Sequence, residues 1–376
     1  MGRLGSLLGA LALVTLLVPH AAARSDEGVQ EEAPAPEGAA EQEAPAAGEA
    51  PAEVAPPAPA VHPLLAADAP IGDLLRALGD PPPDHWQPAE PSLAAQGEAI
   101  VLTGKGRDPF GASGRRVSAA FDCTDCHNVV REDPDLTVSD PEARLAYAQE
   151  KGLKLLPGTT LWGIVNREAW FNDDYLKKYG SLVKPANKSL RWAVQLCSAE
   201  CAQGRTLADW EMDAVLAYLW TLQITVGDLE LSDEALASIE AALENPDQRP
   251  AAVAAIKARY LKESPAHTGS PPDDREAGYG HAGDAARGQF IYTESCLVCH
   301  AGGGPGTYRL GSNKMSYKEL LAFRAESDGR SFYQTVRHGT RPYGVPMAYM
   351  PFYTKERLSD QQLDDLLAFL KAEVAK

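Results

Sequence analysis

Positive charge is scarce: 35 Lys and Arg face 52 Asp and Glu, a formal net charge of −17 in 376 residues. So acidic a chain lacks the electrostatic footprint of a nucleic-acid binder. Residues 25–62 contain no Lys, Arg, Phe, Tyr or Trp and almost no large aliphatic residue. A stretch built from Ala, Pro and Glu cannot bury enough surface to fold, so 24–63 is expected to be a disordered acidic tether. Methionine is rare, five in all, and no histidine occurs between His127 and His267. Long apolar runs are missing after the first 23 residues. The most apolar later stretch, Ala214 to Val226, is interrupted by Gln223 and is too short to span a bilayer, so no transmembrane segment is expected in the mature chain.

What is present begins with an address. Arg3, the apolar run Leu4 to Val18 and the small residues Ala21-Ala22-Ala23 read as a secretory signal peptide over 1–23, placing the mature protein in a periplasm or outside the cell. A short helix is expected from Ile71 to Leu78, ahead of the breaker Pro81-Pro82-Pro83. A first domain is assigned to 85–226 and holds all six tryptophans. A helical spacer and linker follow over 227–283, with one helix capped by Ser232 and running to Leu243, and another opened by Pro250 and reaching Leu261. The second domain is 284–376.

The two domains repeat weakly and in the same order. Each has Gly followed by an apolar stretch (Gly97 to Leu102; Gly288 to Tyr292), then Cys-x-x-Cys-His, then an amphipathic helix. Leu363, Leu366, Leu367 and Leu370 recur at helical spacing, and Met212, Val215, Leu216 and Leu219 take those places when Leu207 is laid on Leu358. The central motifs are Cys123-Thr124-Asp125-Cys126-His127 and Cys296-Leu297-Val298-Cys299-His300. Two thiols three residues apart can add to the two vinyl groups of one porphyrin, and the adjacent imidazole then meets the iron. A single copy would also suit half a zinc site or a redox dithiol; two copies closed by the same helical pattern favour c-type haem.

On these motifs the chain resembles a dihaem c-type cytochrome made of two class I cytochrome c domains. The resemblance implies an all-α fold, two covalent c-type haems, and electron transfer between redox partner proteins. It covers 284–376 throughout: Gly283 to Gly288 opens the first helix, Phe290 is its aromatic contact, and Met350-Pro351-Phe352 precedes Leu358-Ser359-Asp360. His127 and His300 become proximal ligands, and Met350 the sixth ligand of the second iron, with Met347 as its competitor. Pro305 is a candidate to orient His300 through its carbonyl, and His338 is expected to be exposed rather than a ligand.

The first domain has no Met-Pro segment, and its lone Met212 falls inside the closing helix, where core packing is the expected role. Where the second domain puts its methionine, the first has Cys197-Ser198-Ala199-Glu200-Cys201. Three readings stand. The pair forms a disulfide, though i,i+4 on a regular helix is poor geometry for one; or Cys201, less favourably Cys197, is a thiolate ligand of the first iron; or that iron is open. Arg167, Arg191 and Arg205 are candidates for propionate or small-anion contacts. The leading function is an electron carrier. The alternative is a haem oxidoreductase acting on a small reduced-sulfur anion such as thiosulfate, while a dihaem peroxidase is disfavoured because no distal histidine follows the first motif.

Overall fold

A computed structural model describes residues 62–306, 309–311, 315–322, 331–340 and 348–376. The signal peptide, nearly all of the tether, and Met347 lie outside them. The described residues belong to one compact unit. Their regular structure is helical, with no β-strand among them and isolated bridges such as Pro70 to Thr225 and Arg107 to Ser113, so the all-α expectation holds.

Each half is framed by an opening helix crossed by a closing helix: Pro91–Thr103 by Asp209–Thr221, and Ala285–Ile291 by Asp360–Val374. Glycine allows the crossing. A Cβ on Gly97 would collide with the Ala214 carbonyl and come 2.8 Å from the Tyr218 Cβ. A Cβ on Gly288 would collide with the Asp365 carbonyl and come 2.9 Å from the Phe369 Cβ. Laying Leu207 on Leu358 puts Ala214 on Asp365 and Tyr218 on Phe369, so the sequence register is also the spatial one. The N-termini agree as well. Glu211 accepts from the Ala208 N–H at 2.8 Å, as Gln362 accepts from the Ser359 N–H at 3.0 Å. Met212 is buried in the core of the first half, as expected.

A second core lies outside both helix pairs. Leu65, Ile71 and Leu74 pack with Ile224, Ile239, Ile256 and Tyr260. The spacer is therefore seated on the chain that precedes the first half. Pro63, assigned to the tether, already belongs to a helical turn, Pro63–Leu65, because Leu65 is drawn into this core. Ser232 caps Asp233–Glu244 as expected. The next helix stops at Lys257 rather than Leu261, because Tyr260 turns into the core and the Leu261 N–H donates to the Leu136 carbonyl at 2.7 Å.

The two halves are fastened by residues 128–156. This segment carries the helix Pro141–Lys151, whose Leu145 and Ala148 pack with Ile291, Tyr333 and Leu363 of the second half. Asp140 caps it, accepting from the Glu142 N–H at 2.8 Å. At the seam Glu132 is buried, and Arg357 donates to both of its oxygens at 2.8 and 3.0 Å. Arg144, also buried, donates to Glu132 at 3.4 Å and to the Arg357 carbonyl at 3.1 Å. The two arginines hold the Glu132 carboxyl down to about 2 despite its burial, while burial and Arg357 lower Arg144 to about 10.

Candidate functional site

Arg116 pairs with Asp122 at 2.7 Å, and the Asp122 N–H donates to Asp125 at 2.7 Å. These contacts pin the turn Cys123–Asp125, which starts the first haem motif. The following residue pair, Cys126-His127, is fixed by a Pro-Gly turn. The Gly158 N–H donates to the Cys126 carbonyl at 2.8 Å, and His127 Nδ1 lies 2.5 Å from the Thr159 carbonyl, which leaves Nε2 as the nitrogen available to a metal. Only glycine allows this approach, since a Cβ at 158 would collide with the His127 ring. Burial lowers the His127 pKa, against the Thr159 bond, and so favours the neutral, ligating form.

The second motif has the same device: the Gly306 N–H donates to the Cys299 carbonyl at 2.9 Å. Its sequence signal is Pro-Gly-Thr at 157–159 and again at 305–307, hidden by unequal spacing because 128–156 is inserted only in the first half. In this register the counterpart of Thr159 is Thr307, which lies outside the described residues.

Cys123, Cys126 and His127 line a cavity in which the centre of a water molecule sweeps about 240 Å³. Ile100, Val117, Ile164 and Leu219 give it apolar walls. Both Cys197 and Cys201 also line it, from the π-helical turn Cys197–Cys201. A wide turn of this kind places side chains unlike a regular helix and recurs at functional sites. The Cys201 sulfur lies 3.2 Å from the Tyr179 hydroxyl. Cys197 and Tyr179 hydrogen bonds, helped by Lys178, lower the Cys201 pKa, while that of Cys197 is raised.

Of the three arginines singled out in the sequence, only Arg167 lines the cavity. Its guanidinium makes no hydrogen bond or ion pair with another described residue, though the charge of Asp133 acts on it. Arg191 is paired with Asp213 at 2.9 Å and Arg205 with Glu211 at 2.6 Å, both away from the cavity. Asp133 also reaches the cavity, and its buried Oδ1 has no partner. Paired attachment thiols, an oriented imidazole, apolar walls and an unsatisfied guanidinium together suit a haem, whose apolar ring needs the walls and whose propionates need the cation.

In the second half Cys296 ends the π-helical turn Tyr292–Cys296, and His300 ends the helix Leu297–His300. Met350 packs on the same core as Cys296, its N–H donating to Thr340 Oγ1 at 2.9 Å. Its neighbours Tyr349, Pro351 and Phe352 line the first cavity instead. This segment is thus a wall shared by the two sites. The attachment thiols are close as well: after burial, Cys299 is the largest influence raising the Cys126 pKa. His338 is half-buried rather than exposed, because Lys178 from the first half donates to its carbonyl at 3.3 Å.

The comparisons decide the family. Residues 283–370 match the model of cytochrome c oxidase, cbb3-type, subunit III. Cytochrome c6 of Thermosynechococcus vestitus is 33% identical over 96 residues, 25% of this chain and 75% of the relative. Cytochrome c6 of Parathermosynechococcus lividus is 33% identical over 94 residues, 25% of this chain and 94% of that protein. The chain belongs to the c-type cytochromes. A c-type cytochrome holds haem covalently and exchanges electrons with redox partner proteins. No solved structure matches the chain. Among the described residues no helix is long and apolar enough to cross a membrane, and no group of three His, Cys, Asp or Glu side chains is arranged to hold a metal ion.

Proposed function

We propose that this cytochrome is an exported dihaem electron carrier of the periplasm or extracellular space, passing electrons between redox partner proteins. The observation that carries it is the repeated proximal device, a Pro-Gly turn whose glycine N–H donates to the motif's second cysteine carbonyl at both Cys126 and Cys299. It is framed in each half by the same glycine-crossed helix pair. Cys123, Cys126 and His127 would hold the first haem, and Cys296, Cys299, His300 and Met350 the second. Haem supplies one-electron chemistry at iron; the chain's task is to orient ligands, exclude water and set potentials. Thr159 fixes the His127 ring, and Arg167 is the counter-ion for a propionate. The shared wall at 349–352 and the closeness of Cys126 to Cys299 favour transfer between the two centres.

A second reading has an observation of its own. Cys197 and Cys201 reach the first cavity, so a thiolate ligand there is within the chain's means. A low-potential, thiolate-ligated iron would suit a haem oxidoreductase acting on a small reduced-sulfur anion such as thiosulfate, with the Met350 centre passing electrons out.

Intact mass tests the count. The purified wild type should carry two covalent haems and the variant Cys296→Ala with Cys299→Ala one. A single haem on the wild type, or two on the variant, overturns the dihaem assignment.

A further inference from the structure

The Cys201 thiol donates to the Tyr179 hydroxyl at 3.2 Å. We infer that Tyr179 is the positioning residue of the first haem: once Cys201 binds iron as a thiolate it has no proton to give, and the hydroxyl becomes the donor to its sulfur, selecting Cys201 over Cys197 as ligand and raising the potential of that iron. The inference rests on reading Cys201 as the sixth ligand.

Two thiols project from one π-helical turn into the cavity, so proximity alone does not choose between them. The choice is made by what surrounds each sulfur. Cys201 has the Tyr179 hydroxyl 3.2 Å away. Tyr179 is itself fixed from several sides. It ends the helix Leu176–Tyr179, its ring is stacked on Tyr175 at 6.5 Å between centroids, and its hydroxyl adjoins that of Tyr349. The neighbouring Lys178 ammonium sits 4.0 Å from the Phe352 ring centroid and 5.5 Å from that of Tyr349. These contacts span both halves, so the hydroxyl is held where the sulfur needs it rather than left to rotate.

A sulfur that is both iron ligand and hydrogen-bond acceptor gives less electron density to the metal. Ferric iron then loses more stabilisation than ferrous iron, and the potential rises. Because Tyr349 adjoins Tyr179 and is bonded to Met350, the same contact joins the distal sides of the two sites.

The test uses the full haem-loaded chain in two variants, each followed by potentiometric titration and by electron paramagnetic resonance of the oxidised state. Cys201→Met should remove a thiolate-type low-spin signal. Tyr179→Phe keeps the ring and deletes one oxygen; it should shift the first haem to lower potential and alter its low-spin signal, while the second haem's potential serves as an internal reference for folding. Cys197→Ala should retain the thiolate signal. Loss of that signal in Cys201→Met together with a wild-type first potential in Tyr179→Phe overturns the role of Tyr179 alone. Persistence of the signal in Cys201→Met overturns the ligand assignment and this inference with it.

Discussion

Glu132 is the side chain whose loss should separate the two halves. Its carboxylate is buried between Arg357 and Arg144, and Glu132→Gln removes the charge with little change of shape, leaving two buried guanidiniums without their counter-ion. Breaking a buried pair from one side costs about 3 to 5 kcal/mol. The titration of Glu132 gives a consistent figure. Its pKa falls from 4.5 to about 2, which at 1.36 kcal/mol per unit is on the order of 3 kcal/mol. The sign follows from linkage. A carboxyl with a depressed folded pKa stabilises the fold fully above about 4.5, and the contribution is lost as pH falls towards 2, with less than about half left at pH 3. Urea denaturation of the haem-loaded wild type and variant, followed by haem absorbance and by tryptophan fluorescence, measures the difference directly. At pH 7 the variant should be less stable by about 3 kcal/mol, and the gap should more than halve by pH 3. A gap below about 0.5 kcal/mol at pH 7, the range of an ordinary surface substitution, would refute the reasoning. So would a gap independent of pH.

The glycine crossing makes a second prediction. Gly97→Val should destabilise the first half by at least the roughly 1–3 kcal/mol of an overpacked core, read by thermal unfolding, because the Ala214 backbone cannot yield as a side chain would. Met350→Ala should lower the second haem's potential and abolish its methionine-to-iron charge-transfer band, whereas Met347→Ala should leave both unchanged; the opposite pattern would transfer the role to Met347.

Much of this protein was legible in its sequence because the informative spacings are local. Cys-x-x-Cys-His must lie on a single turn, and the apolar residues of a closing helix must recur at its own period, so both can be read without knowing what packs on them. The register that lays Leu207 on Leu358 even anticipates which carbonyl each glycine meets, since one crossing geometry imposes one pattern on both helices. Met212 could be assigned to the core for the same reason. Tertiary structure decided what depends on distant partners. Glu132 and Arg357 are 225 residues apart, and nothing around either announces the other. That 128–156 docks on the second half, that Arg167 rather than Arg191 or Arg205 meets the cavity, and that Tyr349 and Met350 serve different sites also follow from packing alone. Neighbouring residues on an irregular segment point apart, and only the elements placed on either side determine what each one touches.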